Sequence, residues 1–202
     1  SGSPGPLYWQ QQADYKINVF LDPEQRSIKG SETIVYTNNS PHHLNYIWLQ
    51  LDQNRFKKNS LENRSITESG EDRLSFDRLR KMQSMSDRSH GFKLTAVTDQ
   101  NNKALSYTIV DTMMRLDLPE PLIKGKRTHI NINWEFNIIE EAALGGRSGY
   151  EQFDTNKTQI FFLAQWYPRL AAYTDYAGWQ HKAFLGRGEF TLEFGNFDVS
   201  IT

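Results

Sequence analysis

The segment Ile130-Asn131-Ile132-Asn133-Trp134-Glu135-Phe136-Asn137-Ile138 decides the fold class. Every even position carries an apolar side chain and every odd position a polar one. A period of two is the mark of a strand, in which successive side chains point to opposite faces. A helix would repeat its apolar positions every three to four residues. One apolar face against one of Asn and Glu describes a half-buried antiparallel strand.

The same alternation extends in both directions. Upstream, Tyr15, Ile17, Val19 and Leu21 alternate with Lys16, Asn18 and Phe20 before Asp22-Pro23 breaks the run. A second run from Ile28 to Thr37 puts Ile34 and Tyr36 on one face, and Asn38-Asn39-Ser40-Pro41 ends it with turn-forming residues. Ile47, Leu49 and Leu51 line one face of a third strand, with Tyr46 and Trp48 opposite, so that strand is expected to be covered on both sides. Later runs are Phe92, Leu94 and Ala96; Leu105, Tyr107 and Ile109; Met114, Leu116 and Leu118; Phe190, Leu192 and Phe194; and Phe197, Val199 and Ile201. The continuous apolar run Ile160-Phe161-Phe162-Leu163-Ala164 reads as a central strand. Between residues 54 and 90 the pattern fails: Leu74, Leu79 and Met82 are too sparse for a firm helical face. One or two short helices in a long excursion are expected there. Many short strands separated by turn signals predict an all-β protein, either a β-sandwich or a pair of saddle-like curved antiparallel sheets.

Composition narrows the function. The 202 residues suffice for a substantial core, and the 13% aromatic content suits sheets packed through rings. A formal net charge of −1 gives no electrostatic case for nucleic acid or an anionic membrane. No apolar run approaches the roughly 20 residues of a transmembrane helix. With no cysteine, disulfides, Cys zinc sites and Cys nucleophiles are excluded. Residues 1–13 open with Ser1-Gly2-Ser3-Pro4-Gly5-Pro6 and read as a flexible lead-in or cloning scar; residues 14–202 read as one β domain. The last apolar run reaches the end of the chain, so the polypeptide is expected to continue.

Catalytic motifs are missing. None of His42, His43, His90, His129 and His181 belongs to an H-E-x-x-H pair, and no G-x-S-x-G is present. Gly145-Gly146-Arg147-Ser148-Gly149 could cradle an anion but lacks a strand-loop-helix context, and Glu140-Glu141 reads as a solvated pair. Sequons occur at Asn38, Asn63 and Asn156. The informative stretch is Gln165-Trp166-Tyr167-Pro168-Arg169, directly after an apolar strand. It sets an amide, two aromatics and a cation at a strand end, where clefts form.

Three segments together resemble the N-terminal domain of aminopeptidase N-like zinc metallopeptidases (gluzincins), bacterial members in particular. The first is Pro4-Gly5-Pro6-Leu7-Tyr8-Trp9-Gln10-Gln11 with Asp14-Tyr15-Lys16, Gly30-Ser31-Glu32 and Tyr36-Thr37-Asn38-Asn39-Ser40. The second is Gln165 to Arg169 with Tyr173 and Gly178-Trp179; the third is Gly188-Glu189-Phe190 with Gly195-Asn196-Phe197-Asp198-Val199. The resemblance implies a saddle-shaped, non-catalytic domain that packs in cis on a catalytic domain following Thr202. It implies zinc in that domain and none in this chain, and a periplasmic or secreted parent, with the cytoplasm as the alternative. It further implies that Gln165, Tyr167 and Arg169 line the pocket for a peptide's N-terminal residue. Tyr167 departs from the Glu or Gln common at its position, exchanging a carboxylate for a phenol or cation–π face. The rival reading is a β-sandwich binding module that stacks sugars or peptides on Trp9, Trp48 or Trp179.

Overall fold

The computed structural model describes residues 3–65, 75–76, 79–80, 83, 89–141, 147–153, 155–186, 188 and 190–202. Leu74, Met82, Gly145, Gly146 and Glu189 therefore lie outside the described residues.

The fold is all-β and sandwich-like. Its first sheet is built from β1 (Gln12–Asp22), β2 (Ser27–Thr37), β4 (Lys93–Asp99), β7 (Arg127–Asn137) and β13 (Phe197–Ile201), in the order β13-β1-β2-β7-β4. The segment that opened the sequence reading forms the greater part of β7, near the middle of this sheet. Its even-numbered residues Ile130, Ile132, Trp134 and Phe136 are buried. The second sheet has the order β10-β3-β6-β5, from β3 (Leu44–Gln50), β5 (Tyr107–Val110), β6 (Met113–Leu122) and β10 (Arg169–Leu170). Two ribbons complete the strands: β8 (Ser148–Gln152) with β9 (Gln159–Leu163), and β11 (Tyr173–Thr174) with β12 (Gly178–Trp179). The 54–90 excursion is entered through a 3-10 turn at Asp52–Phe56 and a short helix α1 at Leu61–Ser65.

One core joins the two sheets. Tyr15, Ile17, Ile34, Ile130 and Ile132 face Ile47, Leu49, Met114 and Leu116. The cross-strand pairs Ile34↔Ile130 and Ile47↔Leu116 align these rows layer by layer. As the pattern of β3 implied, its outer face is also covered: Trp48 stacks on His181 at 4.8 Å, and the Arg115 guanidinium lies 4.2 Å over the Tyr46 ring.

Several local expectations are corrected. A bulge between Leu94 and Ala96 shifts the phase of β4, so Val97 rather than Ala96 continues the buried row. Leu105 is buried but precedes β5, whose own residues are all exposed. The run Ile160–Ala164 is no central strand: β9 pairs only with β8, and Ile160 and Phe162 are exposed. Phe190, Leu192 and Phe194 form no strand; a single bridge from Phe194 to Gln12 represents them. The lead-in is docked by Gln11, which is 2% exposed, donates from Nε2 to Asn38 Oδ1 at 3.0 Å and accepts from Asn39 N at 2.6 Å.

Strand β13 pairs parallel with β1, the one parallel partnership in an otherwise antiparallel sheet. Register places Phe197, Val199 and Ile201 beside Tyr15, Ile17 and Val19, on the core face. They are nonetheless exposed, as is Phe194. The approach to this strand passes Gly195, where a Cβ would lie 1.7 Å from the Ala13 carbonyl oxygen. Gly195→Ala is therefore expected to break the Ala13 N to Phe194 O bond, destabilising the fold by about 1–3 kcal/mol in a denaturant midpoint measurement.

Candidate functional site

The stretch from Gln165 to Leu170 links the β8–β9 ribbon to the edge of the second sheet. The link depends on β10, only two residues long, which pairs Arg169 with Gln50 and Leu170 with Leu49. Leu170 N also donates to the Tyr15 hydroxyl at 2.9 Å, tying the strand end to the first sheet. Gln53, from the 3-10 turn, donates through Nε2 to the carbonyls of Ala164 at 2.9 Å and Gln165 at 3.3 Å. Gln165 itself adopts φ +53, in the left-handed region that most residues avoid. The chain turns sharply there between ribbon and sheet.

The three residues expected to line a substrate pocket fare differently. Gln165 is partly exposed, and its side-chain amide has no hydrogen-bond partner among the described residues. Tyr167 is half-buried, edge-on to Trp166 at 5.1 Å, Tyr15 at 5.6 Å and Phe197 at 6.1 Å; burial pushes its phenol above the usual value. The Arg169 guanidinium is turned inward. It pairs with the Asp52 carboxylate and donates to Gln50 Oε1 at 3.0 Å, with side chains 12% exposed for Arg169 and 2% for Asp52. Burial raises the Asp52 carboxyl above its ordinary value, and the neighbouring Arg169 only partly opposes this.

Sequence reasoning missed one residue of this neighbourhood. Glu32 lies on the core face of β2, opposite Ile17 and Ile132. It is 3% exposed, and neither carboxyl oxygen has a hydrogen-bond partner among the described residues. Burial pushes its carboxyl well above the usual carboxylate range. The signal was present: within the Ile28-to-Thr37 run, Glu32 is in phase with Ile34 and Tyr36, so the strand period alone assigns it to the core.

No metal centre emerges among the described residues, where no group of three or more His, Asp or Glu is gathered. His42 instead meets the Tyr173 hydroxyl at 2.7 Å through Nδ1. The anion-binding expectation for residues 145–149 falls partly outside the described residues; Ser148 and Gly149 belong to β8. The sequon at Asn38 has no accessible acceptor, because that residue is buried and its Nδ2 donates to the His42 and Leu122 carbonyls. Each tryptophan of the binding-module reading is already engaged: Trp9 stacks on Tyr173 at 5.5 Å, Trp48 on His181, and Trp179 packs against Tyr173 at 4.9 Å.

No protein-family model matches the chain, and no curated protein matches it. Among solved structures it is similar to a point-substituted two-domain M1 zinc metallopeptidase bound to L-arginine, at 12% identity and a TM-score of 0.47 over 96% of this chain and 33% of that one. It is similar to a point-substituted M1 zinc metallopeptidase from Deinococcus radiodurans bound to a Tyr-Ser-Ala substrate, at 12% identity and 0.43 over 95% and 32%. It is also similar to the M1 zinc metallopeptidase from Deinococcus radiodurans, at 11% identity and 0.40 over 64% and 21%. The chain spans a fifth to a third of the length of these structures.

Proposed function

We propose that this chain is a non-catalytic β domain of an aminopeptidase-type zinc metallopeptidase, serving as scaffold and as one wall of the substrate cleft. The three sequence segments quoted above, in family order along nearly the whole chain, support the family. The observation that carries the role is the state of Gln165. Two buried glutamines, Gln11 and Gln53, commit their amide nitrogens to internal bonds, and Gln50 accepts from Arg169 through Oε1. Gln165 is held by its backbone at a strand end and keeps its amide free. Such a group recognises a peptide's terminal amine or backbone at little reorganisation cost.

In this reading Tyr167 supplies an aromatic wall beside Gln165, and Arg169 positions the strand end from inside without touching substrate. The exposed core-face row of Phe197, Val199 and Ile201 is where the catalytic domain packs. Zinc, the general base and the activated water belong to that domain.

The test is peptide kinetics in the full-length parent. Gln165→Ala is expected to lower kcat/KM roughly 10–100-fold, the value of one hydrogen bond to a charged group. Unchanged kinetics would reduce the domain to a bare scaffold. A parent reading frame without H-E-x-x-H and a later Glu would remove the peptidase assignment altogether.

A further inference from the structure

Glu32 sits where a strand of this register places an aliphatic residue. Its neighbours on the core face are apolar or aromatic. Ile17 and Ile132 flank it across the sheet, and two residues back Gly30 lies beneath the Trp134 indole. From Trp134 a chain of rings runs through Trp166 at 6.0 Å, Tyr167 at 5.1 Å and Tyr15 at 5.6 Å. Tyr15 and Trp134 are the cross-strand partners of Ile34 and Gly30, the residues two places either side of Glu32 on the same face of β2. Glu32 therefore lies, by register, between the two rings of the first sheet on which Trp166 and Tyr167 of the strand end pack.

The groups around it define two states. On β1 the nearest titratable residue by register is Tyr15, on whose ring Tyr167 packs at 5.6 Å; Arg169 and Asp52, from the strand end and the 3-10 turn, act on Tyr167 rather than on Glu32. The facing part of β7 offers only Ile130, Ile132 and Trp134. Asp52 and Arg169 neutralise one another. Neither Glu32 oxygen is bonded, so the site as built suits a neutral acid. Yet three buried donors of the two sheets also lack acceptors among the described residues: Trp134 Nε1 on β7, Gln50 Nε2 on β3 and Arg169 Nε on β10. An ionised carboxylate draws such donors and water towards itself.

We propose that Glu32 is a proton-controlled pin for the Gln165–Arg169 strand end. When protonated, it lets Trp166 and Tyr167 pack down on the first sheet; when ionised, it takes up donors and water and lifts them off. The free amide of Gln165 is thereby presented in two positions, chosen by one proton. The device does not depend on the peptidase reading, because every readout below is made on this chain alone.

The sign follows from burial. A carboxyl raised in the folded state favours folding fully below its ordinary value of 4.5, and that contribution is lost as pH rises through the folded value. The experiment follows tryptophan fluorescence and amide exchange of residues 165–170, corrected for intrinsic rates, from pH 4 to 9 in the 202-residue chain. Wild type should show a one-proton transition, with exchange at these amides rising about tenfold across it. Glu32→Gln should remain protected and flat. Should Glu32→Gln fail to fold, Glu32→Leu replaces it, and the carboxyl 13C shift of Glu32 in wild type reports its titration directly. A transition shared by wild type and variant, or a Glu32 shift that titrates at the ordinary carboxylate value, would overturn the proposal.

Discussion

Arg169→Ala is expected to destabilise the fold by about 3–5 kcal/mol, a large share of the roughly 5–15 kcal/mol that holds a domain of this kind together. Among the described residues the guanidinium is the sole partner of a carboxylate that is 2% exposed. It also supplies the donor to Gln50 Oε1 across the short β10–β3 pairing. Deleting it strands a buried charge and detaches the strand end that carries Gln165 and Tyr167. The pair as a whole need not be a strong stabiliser, since burial already raises the Asp52 carboxyl against the pull of Arg169. The expected signature is therefore asymmetric. Arg169→Ala alone is costly, whereas Arg169→Met combined with Asp52→Leu recovers most of the loss in urea melts. The deficit of the single variant should also shrink as pH falls through the two raised folded values of Asp52, both above 3.8. Without Arg169 the folded value of Asp52 rises further from 3.8, and a carboxyl raised in the folded state costs least when protonated in both states. A pH-independent deficit would place the loss in packing of the arginine stem instead.

Trp134→Ala is the second large expected loss, about 3–5 kcal/mol. Trp134 is 2% exposed, stacks on Phe136 at 5.9 Å, meets Phe92 edge-on at 5.6 Å and reaches Trp166 at 6.0 Å. It thus joins the centre of the first sheet to the strand end. Its cross-strand partner is Gly30, and a Cβ there would lie 2.3 Å from Trp134 Cζ2. Gly30→Ala is expected to cost about 1–3 kcal/mol by displacing the indole. In a Trp134→Phe background, which removes the crowding ring atoms, the same substitution should cost clearly less. That non-additivity, read in a double-mutant cycle, would show that the glycine exists to admit the indole. Additive losses would instead assign Gly30 a purely backbone role.

The strand period legible in Ile130 to Ile138 settled the secondary-structure class, because two-residue alternation is a local property that any half-buried strand must show. The same period showed which faces of β1, β2, β3 and β7 are buried, and the turn residues at Asn38 to Pro41 marked where β2 stops. It failed where burial did not follow local pattern. Ile160 to Ala164 is as apolar as a central strand yet lies in a two-stranded ribbon, and Phe197, Val199 and Ile201 are core-facing by register but uncovered. Pairing and cover depend on which strands meet, and no single strand encodes its neighbours.

The candidate site divides in the same way. Its place at the end of an apolar run was readable from Gln165-Trp166-Tyr167-Pro168-Arg169, since residue types and their order are local facts. Only the tertiary structure turned the Arg169 guanidinium inward to Asp52 and, among the described residues, left the Gln165 amide and the buried Glu32 carboxyl without a partner. Asp52 and Arg169 are 117 residues apart, and Glu32 is still further from Tyr167 along the chain. Whether a charge is answered, and by which partner, is set by the meeting of the two sheets.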